Sequence, residues 1–141
     1  SVMFPPTMSA INGAPASVSA TDDLPDTLLA TGFPYRRFHY QEAYLAVLGS
    51  LFGRSRGVRR HGAASVDLAY VAVGRFDGFF EAGLSPWDVA AGLALVQHGG
   101  GRATDFAGAA NPLYAGQAVA TNGRIHHALL DAVAPLVGVR G

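Results

Sequence analysis

The sequence has no cysteine, so disulfides, zinc ribbons, thiol catalysis and iron–sulfur clusters are excluded. It has no lysine either. All ten basic residues are arginine, which excludes a phosphate-loop lysine, a Schiff-base lysine and a Ser–Lys dyad. An excess of charge of one sign is also missing: ten basic against ten acidic residues give a formal net charge of zero. A general nucleic-acid binder, or a protein held on an anionic membrane, needs a basic footprint. No apolar run approaches the roughly 20 residues of a membrane span, and residues 89–96 are among the longest. The first residues, Ser1-Val2-Met3-Phe4-Pro5-Pro6, lack the basic and apolar regions of a secretory signal. The expectation is a cytoplasmic protein with no membrane partner and no nucleic-acid partner.

What is present suits one domain. The chain has 141 residues, half of them hydrophobic, which is enough for a real core. No internal repeat or low-complexity tract stands out. Pro5-Pro6 make residues 1–10 an irregular segment, and residues 11–141 form the domain. Asn12-Gly13 is a hairpin turn signal. Residues 27–31 read as a buried strand stopped by Gly32. Residues 41–52 read as a helix with Tyr44, Leu48, Leu51 and Phe52 on one face. Residues 57–61 suit a strand, and residues 64–73 a helix with Ala64, Leu68 and Val71 on one stripe and Gly74 closing it. Residues 78–81 suit a strand ending in Glu81. Ser85 and Pro86 open a helix that runs to about His98. It is apolar nearly all round and is expected in the core. Residues 102–106 and 117–121 suit strands, and Asn122 is placed to cap a last helix carrying Ile125, Leu129, Val133 and Leu136. Such alternation defines an α/β, layered helix–sheet–helix domain.

Few residues point to chemistry. Asp88, three after Ser85, reads either as a capping-box acid or as a metal or substrate ligand at a helix mouth that favours anions. Glu81 is one of only two glutamates and ends an apolar strand. It is either an ordinary loop acid or part of a site where α/β sheets usually build one. His61-Gly62-Ala63-Ala64-Ser65 is a small-residue turn that either is just a turn or lets backbone approach a ligand. His39, His61 and His98 are isolated, and the adjacent His126 and His127 diverge on a helix and cannot share a metal. Arg59-Arg60 could hold an anion, although paired arginines are more often solvated or at a subunit contact. Gly99-Gly100-Gly101 follows a helix, the wrong context for a dinucleotide fingerprint.

The run from Gly62 to Glu81, ending Arg75-Phe76-Asp77-Gly78-Phe79-Phe80-Glu81, resembles the inositol monophosphatase family. Trp87-Asp88-Val89-Ala90-Ala91-Gly92 is similar to that family's second signature, Trp-Asp-x-Ala-Ala-Gly. Gly100-Gly101-Arg102-Ala103-Thr104-Asp105 is similar to the Gly-Gly-x-x-x-Asp segment after it, and Leu29-Ala30-Thr31-Gly32-Phe33-Pro34-Tyr35 matches bacterial members. The resemblance runs from about Ile11 to the end. It implies the C-terminal half of an αβαβα sugar-phosphatase fold of about twice this length. It further implies a magnesium-dependent, lithium-sensitive phosphomonoesterase, often homodimeric, in which metal-activated water attacks inositol phosphate or a similar polyol or sugar phosphate. On that resemblance Asp88 is a Mg2+ ligand that also touches substrate hydroxyls, and Glu81 hydrogen-bonds the ring. Gly62, Ala63 and Ala64 lie where backbone meets the ring, and Arg59-Arg60 near a dimer contact.

The family's first signature, Asp-Pro-x-Asp-Gly-Thr/Ser, and its upstream metal-binding glutamate are absent from these residues. One carboxylate cannot satisfy several hard cations, each of which wants several oxygen ligands. No catalytic residue is therefore assigned. The expectation is a chain that is inactive alone, completed by a complementing N-terminal half or working as a homo-oligomer. The alternative is a non-catalytic binding or oligomeric assembly module derived from the same fold, since some bacterial relatives act in transcription complexes.

Overall fold

The computed structural model describes residues 10–11, 14–32, 41–110, 112 and 116–137. Two short strands, β1 (Ala10–Ile11) and β2 (Ala14–Pro15), pair antiparallel. Ala10, at the end of the segment expected to be irregular, is thus in a strand. Asn12 and Gly13 lie outside the described residues, as do residues 1–9 and His39. A 3-10 turn at Leu24–Asp26 leads into β3 (Leu28–Thr31). The chain continues as α1 (Gln41–Phe52), β4 (Gly57–Arg59), α2 (Ala64–Ala72), β5 (Gly78–Ala82), α3 (Pro86–His98), β6 (Arg102–Thr104), β7 (Gln117–Thr121) and α4 (His126–Ala132). A 3-10 turn at Ala134–Leu136 closes it. The five longer strands form one sheet in the order β4-β3-β5-β7-β6. β3 runs parallel to both β4 and β5, whereas β7 is antiparallel to β5 and to β6.

Strand alternation puts successive side chains on opposite faces, and both faces are covered. Leu29, Phe80 and Val119 point to one face, where Tyr44, Leu48 and Leu51 of α1 and Leu129 of α4 pack with Ile125 and Leu136. Ala30, Phe79, Ala118 and Ala120 point to the other, against Leu68 and Val71 of α2 and Val89, Leu93 and Val96 of α3. Strands buried on both faces need continuous apolar runs, which explains Gly-Phe-Phe in β5 and Ala-Val-Ala in β7.

Several expectations need correction. Phe52 is 64% exposed and is not on the buried face of α1; Val47, at 1%, is. α3 is not wrapped in core. Val89, Gly92, Leu93 and Val96 are buried, but Trp87, Ala90 and Ala91 are exposed. β4 stops at Arg59 and β6 at Thr104. Past β6 the Asp105 carboxylate accepts from the backbone N–H groups of Ala107 and Ala109 and turns the chain. Asn122 does not cap α4 directly. Its side-chain oxygen accepts from the N–H groups of Arg124 and Ile125, and the helix begins at His126.

Candidate functional site

Because β3, β4 and β5 are parallel, their C-terminal ends meet at one edge of the sheet. Gly32 follows β3, Arg60 and His61 follow β4, and Glu81 and Gly83 lie at the end of β5. The first turns of α2 and α3 start from the same edge. This is where open α/β sheets usually place a site. Here the structure holds a cleft of about 340 Å3 lined by Gly62, Ala63, Ala64, Ser65, Glu81, Gly83 and Leu84. Four of the five residues singled out in the sequence, Gly62, Ala63, Ala64 and Glu81, therefore meet in one place. Asp88 lies in the first turn of α3, three residues after Ser85, the residue preceding the helix. Its side chain is outside what the structure describes.

Each lining group has a local cause. Gly62 has φ +82°, a left-handed conformation that lets the chain turn from β4 into α2. Glu81 packs its carboxyl directly over the backbone of Gly32, and any Cβ at Gly32 would overlap it. Burial raises the Glu81 pKa to about 7, with help from the negative charge of Asp67 and against the pull of Arg60. An acid on the rim of a cleft that changes charge near neutrality is a candidate for ligand recognition. Neutral, it can donate to a hydroxyl oxygen; ionised, it accepts from hydroxyls.

The sequence reading missed three participants. His61, taken as isolated, has Nδ1 2.9 Å from Asp67 Oδ1. Asp67 is 1% exposed, and burial raises its pKa although the hydrogen bond and charge of His61 oppose the rise. Gly32, read only as a strand stop, is the seat of Glu81. The clue to His61 was its place just before a glycine turn with an acid in the following helical turn. Nothing local marked Gly32. His126 is buried between the hydroxyls of Thr104 and Thr121, at 2.8 Å from each ring nitrogen. Among the described residues no three histidine or carboxylate side chains are grouped to hold a metal ion. The donor set on view does not fit the two or three magnesium ions that the resemblance implies, and no reaction step is routed through one.

Fold and cleft together define a layered α/β domain with a small polar site at the carboxyl edge of its parallel strands. The chain belongs to the inositol monophosphatase family, whose model matches residues 8–137. It is 48% identical over 120 residues to the Nus factor SuhB of Escherichia coli, covering 85% of this chain and 45% of that protein. It is 43% identical over 123 residues to an inositol-1-monophosphatase of Rhizobium meliloti, covering 87% and 46%. Among solved structures it is similar to the inositol monophosphatase of Anabaena at 42% identity and TM-score 0.80, covering 85% of this chain and 48% of the other. It also matches the extragenic suppressor protein suhB of Bartonella henselae at 38% identity and TM-score 0.81, covering 91% and 48%. The chain spans about half the length of the curated relatives it matches. Among the described residues no helix is long and apolar enough to cross a membrane.

Proposed function

We propose that this chain forms the polyol-binding wall of a magnesium-dependent phosphomonoesterase that acts in the cytoplasm on inositol phosphate or a similar polyol or sugar phosphate. The observation that carries this reading is Glu81. A carboxyl poised near neutrality faces a cleft whose other wall is the small-residue turn 62–65, with the start of α3 close in sequence. Backbone at a turn without bulky side chains can approach a polyol ring closely, and Glu81 can bond a ring hydroxyl in either charge state. Asp88 is the residue proposed to ligate Mg2+ and to touch substrate. The remaining ligands come from residues these 141 do not supply, either a complementing N-terminal half or another copy of the chain. Alone, the chain is catalytically inactive.

The test is phosphate release from inositol 1-phosphate by the purified chain, with and without magnesium. It is then repeated after mixing with a segment of a relative that carries the family's first signature. No release is expected from the chain alone. Release is expected from the mixture, and Asp88→Asn should abolish it. Turnover by the chain alone that Asp88→Asn removes would overturn the claim of inactivity. The second reading is a non-catalytic binding or assembly module. It is favoured by the relatives called Nus factor SuhB, at 47–48% identity, and by the exposure of Trp87 beside the cleft edge. A mixture that assembles but releases no phosphate would select it.

A further inference from the structure

Residues 61–67 close on themselves. The His61 ring and the Asp67 carboxylate meet at 2.9 Å, and the turn they enclose supplies Gly62, Ala63, Ala64 and Ser65 to the cleft. Inside that ring the N–H groups of Val66 and Asp67 both donate to the carbonyl of Ala63 at 3.1 Å. The imidazole is held from outside as well. It stacks on Phe76 at 5.4 Å and 26°, and meets Tyr70 edge-on at 5.9 Å. The guanidinium of Arg75 lies 5.5 Å over the Tyr70 ring. The charged groups acting on Glu81 are Asp67 from α2 and Arg60 from the segment after β4; Asp88 belongs to the adjoining turn of α3.

We propose that the His61–Asp67 pair is a positioning clasp for this cleft, holding the turn 62–65 in shape and setting the charge that Glu81 presents to a bound polyol ring. The proposal rests on the reading of the cleft as a polyol site. An ionised carboxylate in Asp67's buried position is costly unless a donor satisfies it, and His61 is that donor. Ionised Asp67 in turn disfavours ionisation of Glu81. His61 therefore favours the ionised form of Asp67, and through that charge opposes ionisation of Glu81. With the clasp closed, Glu81 stays neutral to higher pH and tolerates the anionic group of a phosphorylated ring. With His61 removed, the ionised form of Asp67 is less favoured, its opposition weakens, and Glu81 ionises at lower pH and repels that anion.

The experiment uses the whole chain, labelled with 13C and 15N, as wild type, His61→Gln, His61→Ala and Asp67→Asn. It follows the Glu81 carboxyl signal against pH and the hydrogen exchange of amides 62–65. In Asp67→Asn and in His61→Ala the Glu81 midpoint should fall by about one pH unit, the size of a neighbouring-charge effect. His61→Ala should also speed exchange in the turn about tenfold, as local opening becomes easier. His61→Gln retains a donor to the Asp67 carboxylate, so its turn should stay protected and its Glu81 midpoint should stay near that of wild type. An unmoved Glu81 midpoint overturns the clasp, whether or not ligand binds. Should Asp67→Asn fail to fold, the His61 variants decide, because that side chain is 40% exposed and its loss leaves the core intact. Calorimetric titration with inositol 1-phosphate forms a separate arm. Binding that weakens as pH rises in wild type and in His61→Gln, and weakens from about one pH unit lower in His61→Ala, supports the proposal. Absence of binding by every form overturns both the polyol reading and the ligand half of this inference.

Discussion

At the scale of single residues, function and stability pull against each other at Glu81. An acid whose pKa is raised from 4.5 to about 7 contributes stability that is fully present below about pH 4.5 and is lost as pH rises through 7. His126 works the other way. Burial, followed by the charges of Arg102 and His127, lowers its pKa from 6.5 to about 4. Its contribution is intact above about pH 6.5 and is lost as pH falls toward 4, because only the unfolded chain takes up the proton. Between about pH 4.5 and 6.5 the two slopes oppose each other, so the melting temperature of the wild type should be level there. Glu81→Gln removes one slope. That variant should be more stable than wild type above pH 7 by about 1–3 kcal/mol, and its Tm should drop on acidification from about pH 6.5 to 4.5. Melting curves across that range check both signs. A Glu81→Gln variant that is no more stable at pH 8 would mean that the carboxyl is solvated and not seated over Gly32. Gly32→Ala probes the seat itself. Gly32 has no left-handed backbone, and the three atoms nearest to an added methyl group all belong to the flexible end of Glu81. The fold should survive, the Glu81 carboxyl should swing into solvent and titrate in the ordinary carboxylate range, and affinity for inositol should fall. Carboxyl NMR of Gly32→Ala against wild type reads the change.

At the scale of elements, the sequence was most legible where periodicity was strong and least where side-chain size mattered. Tyr44, Leu48 and Leu51 were read correctly as the buried face of α1, and the structure adds Val47. Phe52 was grouped with them but lies about 80° round the helix from Tyr44 at 100° per residue. It shares the outer flank with Leu45, which is 56% exposed. Hydrophobicity alone does not separate those flanks. α3 misled for a related reason: alanine counts as apolar in a pattern, yet Ala90 and Ala91 sit on the open side. Its packed side is set by shape. A Cβ on Gly92 would lie 2.8 Å from both Cβ and Cδ1 of Leu68, so this glycine lets α2 and α3 approach closely. Gly92→Ala should gain about 1 kcal/mol of helix propensity. It should lose about 1–3 kcal/mol to overpacking, since the Leu68 Cβ cannot swing away. The expected net result is a lower denaturant midpoint with an unchanged slope. A higher midpoint would show that the α2–α3 contact has room to relax. Within the candidate site, the turn 62–64 and Glu81 were visible because each ended or began an element. His61 with Asp67 and Gly32 with Glu81 were not, because both pairs exist only after β3, β4 and β5 are laid side by side.

At the scale of the whole molecule, both faces of the sheet are filled, so these residues have a core of their own. Large apolar side chains stay exposed at scattered places, Leu45 and Phe52 on α1, Val66 on α2, Trp87 on α3 and Val137 near the end of the described residues. Trp87, the only tryptophan, is 81% exposed and adjoins Asp88. A large exposed ring next in sequence to a proposed ligand is a candidate contact for whatever completes the site. Trp87 therefore offers a probe of how the proposed metal site would be completed. If a complementing half supplies the missing ligands, the isolated chain should show red-shifted, iodide-quenched tryptophan emission at all concentrations. Adding that half should shift the emission to the blue and restore magnesium-dependent phosphate release together, with one titration midpoint. If another copy of the chain closes the site, the blue shift should come with rising concentration of the chain alone and track a change in sedimentation. An emission that stays red under both treatments, while phosphate release appears, would separate Trp87 from the assembly of the site.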